Sequence, residues 1–294
     1  MTTKKKRITK HVVGRILELT KKWQLASYDG FTYPFVNGIV FSNEGGKGRF
    51  PLFDASNSQT KDIFAYWQDK EFGIIEISAP EPGYEIKAPK SMKLFFSGTV
   101  FFFNGACNHY IKFLDVSHLD VSNTTDFQAC FKHFGNGVMG SEIVGLKSWD
   151  VKQGVNFARM FAESFLCNES VDLDLSGWQF SKEHSVTIWG MFANFAAEAD
   201  NVNLNLNNWQ TLKFYNLSHM FENFAIEAEY VKIIGLDEWK VNYVNTFSFM
   251  FKNFAPKSRC GLDLSSWSQE GKLSGYHEDF SCGTFFRIKE PEWA

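Results

Sequence analysis

The residues that could do chemistry are few and scattered. Ser117, His118 and Asp120 stand within LDVSHLD, the side-chain types of a nucleophile, a base and its orienting acid. Such a triad must converge in space. Neighbours on one strand point to opposite faces, so the run reads as ordinary repeat variation. GGKG at 45–48 has the glycines and lysine of a phosphate-cradling loop. It lacks the GxxxxGK(S/T) spacing, a strand before it and a helix after it, and it reads as a hairpin turn. His277, Glu278 and Asp279 are three consecutive metal-ligand types, but adjacent residues rarely aim at one ion, so they read as a solvated cap. KKKR at 4–7 could touch a polyanion; a frayed, solvated tail is the plainer reading. The five cysteines, Cys107, Cys130, Cys167, Cys260 and Cys282, are odd in number with no CxxC pair. They suggest free, mostly buried thiols in a reducing compartment rather than a disulfide framework or a zinc site. No catalytic residue, metal ligand or cofactor is expected, and the chain reads as a non-enzyme.

The elements that hold these residues are set by an internal repeat. ACFKHFG (129–135), RMFAESF (159–165), GMFANFA (190–196), HMFENFA (219–225) and FMFKNFA (249–255) share Phe131, Phe161, Phe192, Phe221 and Phe251, spaced 30, 31, 29 and 30. A weaker copy, VFFFNGA at 100–106, puts Phe102 in the same column. A second column keeps the same period: Trp149, Trp178, Trp209, Trp239 and Trp267, with Leu119 in the slot before them. Two columns in phase make chance a poor explanation. They also assign the 32 Phe and the 17% aromatic content an architectural role.

Each unit opens on a short strand: FLDV (113–116), IVGL (143–146), DLDL (172–175), NLNL (203–206), IIGL (233–236) and GLDL (261–264). A helical face follows, as in Leu217, Met220, Phe221, Phe224 and Ala225 at i, i+3, i+4, i+7 and i+8. Asp126, Asn156, Thr187, Asn216 and Thr246 stand just before these faces as N-caps. The spacing thus predicts an α/β repeat solenoid, with parallel strands on one side and short helices on the other. Strands repeat at about 4.8 Å and helices pack at about 8–10 Å, so the coil should curve with its strands inside. The Trp column reads as packing, and Asn194, Asn223 and Asn253 as a ladder of amides bonding neighbouring units.

The strand, Trp, cap and Met-Phe positions resemble the BspA-type leucine-rich repeat. Its pattern, L-D-L-S-x-W/F-D-T-S-x-V-T-D/N-M-x-x-M-F, is matched closely by LDLSGWQFSKEHSVTIWGMF (173–192), LDVSHLDVSNTTDFQACF (114–131) and VNFARMF (155–161). The resemblance covers about residues 94–270 and implies a leucine-rich-repeat-like fold. The repeat here is near 30 residues rather than 22–26, and Asn-Phe-Ala replaces the family's small residue or Cys after Met-Phe. Members of that family are commonly exported surface proteins used in adhesion.

Three regions follow: residues 1–93 as a small N-terminal α+β capping unit with an amphipathic helix at Ile8–Ala26, 94–270 as the six-unit solenoid, and 271–294 as a C-terminal cap. FGIIEIS (72–78) reads as a strand. The first thirty residues carry +6 and the remainder −9, out of a net −3. That balance argues against a nucleic-acid partner, which needs a broad basic surface. No signal-peptide core follows the basic start, and LFFSGTVFFF (94–103) is too short to span a bilayer, so a cytoplasmic place and no membrane are expected.

Strand alternation places Asp115, Gly145, Asp174, Asn205, Gly235 and Asp263 outward, and two residues earlier Phe113, Ile143, Asp172, Asn203, Ile233 and Gly261. Exposed Phe and Ile beside acids suit a protein partner. The expected contact set is Phe113, Asp115, Asp174, Asn205 and Ile233. The leading expectation is an intracellular protein-binding solenoid, a stoichiometric inhibitor or scaffold, in its sharpest form a phage or mobile-element protein that blocks a host enzyme. The alternatives are an adhesin-like surface protein and an enzyme with its site in residues 1–93. Partner identity and oligomeric state stay open.

Overall fold

The computed structural model describes residues 4–7, 37–46, 48, 53–54, 63–69, 72–97, 111–136, 138–209, 211–284 and 287–294. Fourteen strands appear among them: β1 (Lys4–Arg7), β2 (Gly38–Phe41), β3 (Phe53–Asp54), β4 (Phe64–Asp69), β5 (Ile74–Ser78), β6 (Tyr84–Lys87), β7 (Phe113–Asp115), β8 (Leu119–Asp120), β9 (Glu142–Val144), β10 (Ser170–Asp174), β11 (Asn201–Asn205), β12 (Tyr230–Ile234), β13 (Gly261–Asp263) and β14 (Arg287–Lys289). The sheets run β3-β4-β5-β2-β7-β9, β1-β6-β8, β10-β11-β12 and β13-β14. The expected strand at 72–78 is β5. The proposed helix at Ile8–Ala26 and Phe102 lie outside the described residues.

The repeat period becomes parallel register. Val171, Val202 and Val231 are partners across β10, β11 and β12, as are Leu173, Leu204 and Ile233. Both valine and leucine columns turn inward, and Val171, Leu173, Val202, Leu204 and Val231 are buried. The residues between them, Asp172, Asn203 and Lys232, share the opposite face.

The segments read as helices are strings of tight turns. The N–H of Met220 bonds the carbonyl of Leu217, and that of Phe224 bonds Phe221, both from i to i−3. The third residue of each such turn has positive φ: His219 at 57° and Asn223 at 53° here, and Arg159, Glu163, Gly190, Asn194, Phe249 and Asn253 elsewhere. That is the sign type II turns require at this position. The alternate N–H groups point to the next repeat. Leu217, His219, Phe221 and Asn223 donate to the carbonyls of Thr246, Ser248, Met250 and Lys252. A four-residue turn period buries positions 217, 220, 221, 224 and 225 much as a 3.6-residue helix would, which is why the pattern looked helical. The caps keep part of their expected role, since Asp126, Asn156, Asn216 and Thr246 accept the N–H two residues on, at 2.9–3.3 Å.

Aromatic columns fill the interior. Phe96, Phe131, Phe161, Phe192, Phe221 and Phe251 stack in sequence with centroids 5.2–5.6 Å apart and planes within 11°. The five Trp do the same at 5.7–6.4 Å. The ring stacked on Phe131 is thus Phe96, in MKLFFS, and parallel partners such as Ile86↔Leu119 already precede it. Strand side and turn side share one spacing near 5 Å, so the wedge expected from wider helices has no cause here. At the far end His277–Gly283 repeats the turn pattern, with Phe280 packed edge-on against Phe251. Trp293 lies against Phe247 and Phe280.

Candidate functional site

Two repeats carry one extra residue between strand and tryptophan, Gly145 in IVGL and Gly235 in IIGL, at φ 93° and 89°. Each starts a one-turn 3-10 helix, Leu146–Ser148 or Leu236–Glu238. The insertion shifts the strand by one position. Asp174 pairs with Asn205 and Asn205 with Ile234, and Asp115 pairs with Val144. Ile233 and Ile143 therefore fall in the inward column and pack on the core. Their expected outward placement, and that of Gly145 and Gly235 beside Asp174, is corrected by one residue. A strand slip of one reverses every side chain; the letters conceal it, because IIGLDEW and IVGLKSW have the same length as DLDLSGW and only the strand register shows the extra residue.

The insertion also disturbs the neighbours. The indole N–H of Trp178, Trp209 and Trp267 donates to the leucine carbonyl of the preceding repeat at 2.7–3.0 Å. Trp149, which follows Gly145, reaches Val116 O only at 3.3 Å. Trp239, which follows Gly235, has a buried Nε1 with no partner among the described residues. Pairing stops after each such unit, between β9 and β10 and between β12 and β13. At the second break lies a groove of about 220 Å³, lined by Val231, Lys232, Ile233, Phe254, Cys260, Gly261 and Leu262. One lysine and one thiol among apolar walls do not make an acid-base pair.

The outward face of β10–β12 is the most regular surface. Asn203 Nδ2 donates to Asp172 Oδ1 at 3.2 Å. Asp174 accepts the Ser176 N–H at 2.9 Å and pairs with Lys147 Nζ at 2.7 Å. Burial opposes its ionised form, but the Lys147 and Ser176 bonds outweigh it and hold the carboxyl below the usual range. Asn205 accepts the Asn207 N–H at 3.1 Å. Of the expected contact set, Asp174 and Asn205 are brought side by side. Phe113 and Asp115 share β7 in another sheet, half-buried, with Asp115 bonded to Ser117 N–H at 2.9 Å. Ile234, with Tyr230 at 53% exposure, takes the outward place assigned to Ile233.

The other candidates resolve locally. In GGKG, Gly46 N–H is already bonded to Ala79 O and Gly45 has φ 80°. KKKR is β1, paired in parallel with β6. His277 stacks on Trp293 at 4.2 Å, and among the described residues no group of three His, Cys, Asp or Glu is placed to hold a metal. Cys130 is buried, which pushes its thiol pKa well up; Cys167 and Cys260 are half-buried and Cys282 is exposed. The amide ladder is present: Asn223 donates to Asn194 at 3.1 Å and Asn253 to Asn223 at 2.9 Å. No helix among the described residues is long and apolar enough to cross a membrane.

No curated protein and no solved structure matches the chain. One family model, described as Mycoplasma protein of unknown function, DUF285, matches residues 90–229 and 186–273. Together these spans cover the aromatic columns and strands β7–β13, more than half of the 294 residues. The chain belongs to the DUF285 family.

Proposed function

We propose that the repeats form one parallel solenoid of the BspA-like leucine-rich-repeat kind, and that it is a non-catalytic scaffold binding a protein through the outward face of β10–β12. The observation that carries this reading is a constant interior under a varied surface. Valine lies under valine and Leu173 under Leu204 and Ile233, while the outward columns read Asp172, Asn203, Lys232 and Asp174, Asn205, Ile234. Solenoids make extended binding surfaces in this way. An array of amides, carboxylates, one lysine and an exposed tyrosine suits a polar protein surface better than a polyanion.

The test compares the full chain with Asp174→Arg plus Asn205→Arg in capture from a lysate, with folding checked by unfolding midpoint. A protein retained by the wild type at about one to one and lost by the variant supports the reading. Retention of the same proteins by the folded variant contradicts it. An adhesin-like surface role is the second reading, suggested by the resemblance of the repeat to the BspA type. It predicts that the partner lost by the variant is extracellular rather than a cytoplasmic enzyme.

A further inference from the structure

The turn segments carry a polarity that does not cancel at the two ends. Seven of them are described: 91–97, 126–135, 156–165, 187–196, 216–225, 246–255 and 276–283. In every interface between neighbours the earlier segment donates N–H groups at every second residue to carbonyls of the later one. Met92, Leu94 and Phe96 donate to Asp126, Gln128 and Cys130; Phe247, Phe249, Phe251 and Asn253 donate to Tyr276, Glu278, Phe280 and Cys282. The last segment is left with the matching donors, the N–H groups of His277, Asp279 and Ser281, which bond nothing among the described residues. The first segment is left with the matching acceptors. The carbonyls of Ser91, Lys93 and Phe95 receive no N–H among the described residues.

The two ends are also opposite in charge. Lys90 and Lys93 are exposed beside the open carbonyls. Glu278 and Asp279 are exposed beside the open N–H groups. Inside the molecule successive segments are also joined by ion pairs, there with the lysine on the earlier segment: Lys132 with Glu163 at 3.1 Å and Lys252 with Asp279 at 3.7 Å, so Glu278 is the exposed acid that the last segment offers to a neighbour.

From these two observations we infer that the chain binds a second copy of itself head to tail. His277, Asp279 and Ser281 of one copy donate to Ser91, Lys93 and Phe95 of the next, in the register that the six internal interfaces already use. Open backbone donors and acceptors are a ready template for another chain. A contact between two different ends is heterologous, so it propagates along a line rather than closing as a two-fold dimer.

Sedimentation of the full chain at low salt, over a range of concentrations, tests this. The expected result is a mass that rises continuously past the dimer and falls back as salt screens the ends. Two variants, Lys90→Glu with Lys93→Glu and Glu278→Lys, should each stay monomeric with an unchanged unfolding midpoint. Mixed in equal amounts they should associate again, because each supplies the charge the other lost. A wild type that is monomeric at its highest soluble concentration overturns the inference. So does a mass that stops at the dimer, or association that both variants retain.

Discussion

At the residue scale, most of the conformational strain sits in the turn segments, and asparagine is how three of them carry it. Asn194, Asn223 and Asn253 all have φ between 51° and 55°, a region that costs most L-residues about 1–2 kcal/mol and asparagine less. Their amides also bond along the column. Asn223→Ala should lose both effects and destabilise by about 2 kcal/mol, while Asn223→Gly, which restores the backbone freedom but not the ladder, should lose only about half as much. Urea midpoints of the pair check this, and equal losses would contradict the strain contribution. The carboxyl of Asp263 is held at about 2, mainly by the Ser265 hydroxyl and N–H and then by Lys289. A lowered value means that its stabilising contribution is complete above the ordinary 3.8 and is lost as the pH falls toward 2. Ser265→Ala should move the Asp263 titration up, read by carbon NMR of the carboxyl. The amide ladder was legible in the sequence because three asparagines stand at one phase of the repeat. Positive φ at Arg159, Glu163 and Phe249 was not, since those residue types do not announce it.

At the element scale, the extra glycine decides which strands pair and which side chains face out. An added Cβ at Gly235 would come within 2.7 Å of Asn207 Cα, at a φ of 89°. Gly235→Ala should therefore destabilise by roughly 2–3 kcal/mol, whereas Gly271→Ala, with open space around its Cβ position, bears only the backbone term. Differential unfolding of the two variants measures the collision separately from the φ. Strands and their inward columns could be read from DLDL and NLNL, because alternation and register coincide there. The face of Ile233 could not, because aligning IIGL letter by letter on DLDL hides a one-residue insertion. The helices failed for a different reason. Four-residue turns and a 3.6-residue helix bury nearly the same positions over nine residues, and only the distance available to the next repeat separates them.

At the scale of the whole molecule, one repeat spacing recurs in indole stacks, phenylalanine stacks, amide ladders and, between the two breaks, strand pairs. Phe221 sits in the middle of its column, fully buried, stacked at 5.6 and 5.3 Å on Phe192 and Phe251. Phe221→Ala should lower stability by about 3–5 kcal/mol, and a denaturant midpoint that hardly moves would count against a continuous column. Period, columns and most interior residues were legible from sequence because a repeat displays its packing as phase. The outward face carries no such constraint, and so the partner it fits was not legible.

Turn segments, not helices, face each other at strand distance. His219 and Phe249 are neighbours across one repeat boundary, with rings 4.9 Å apart. A disulfide needs Cα atoms about 4.4–6.8 Å apart, and packed helices hold theirs at about 8–10 Å between axes. The decisive measurement is oxidative cross-linking of His219→Cys with Phe249→Cys, mapped by mass spectrometry beside His219→Cys with Asp279→Cys, two repeats apart. Near-complete bridging of the first pair and none of the second is expected. A folded protein in which the first pair stays reduced under oxidant, or in which both bridge equally, would contradict it.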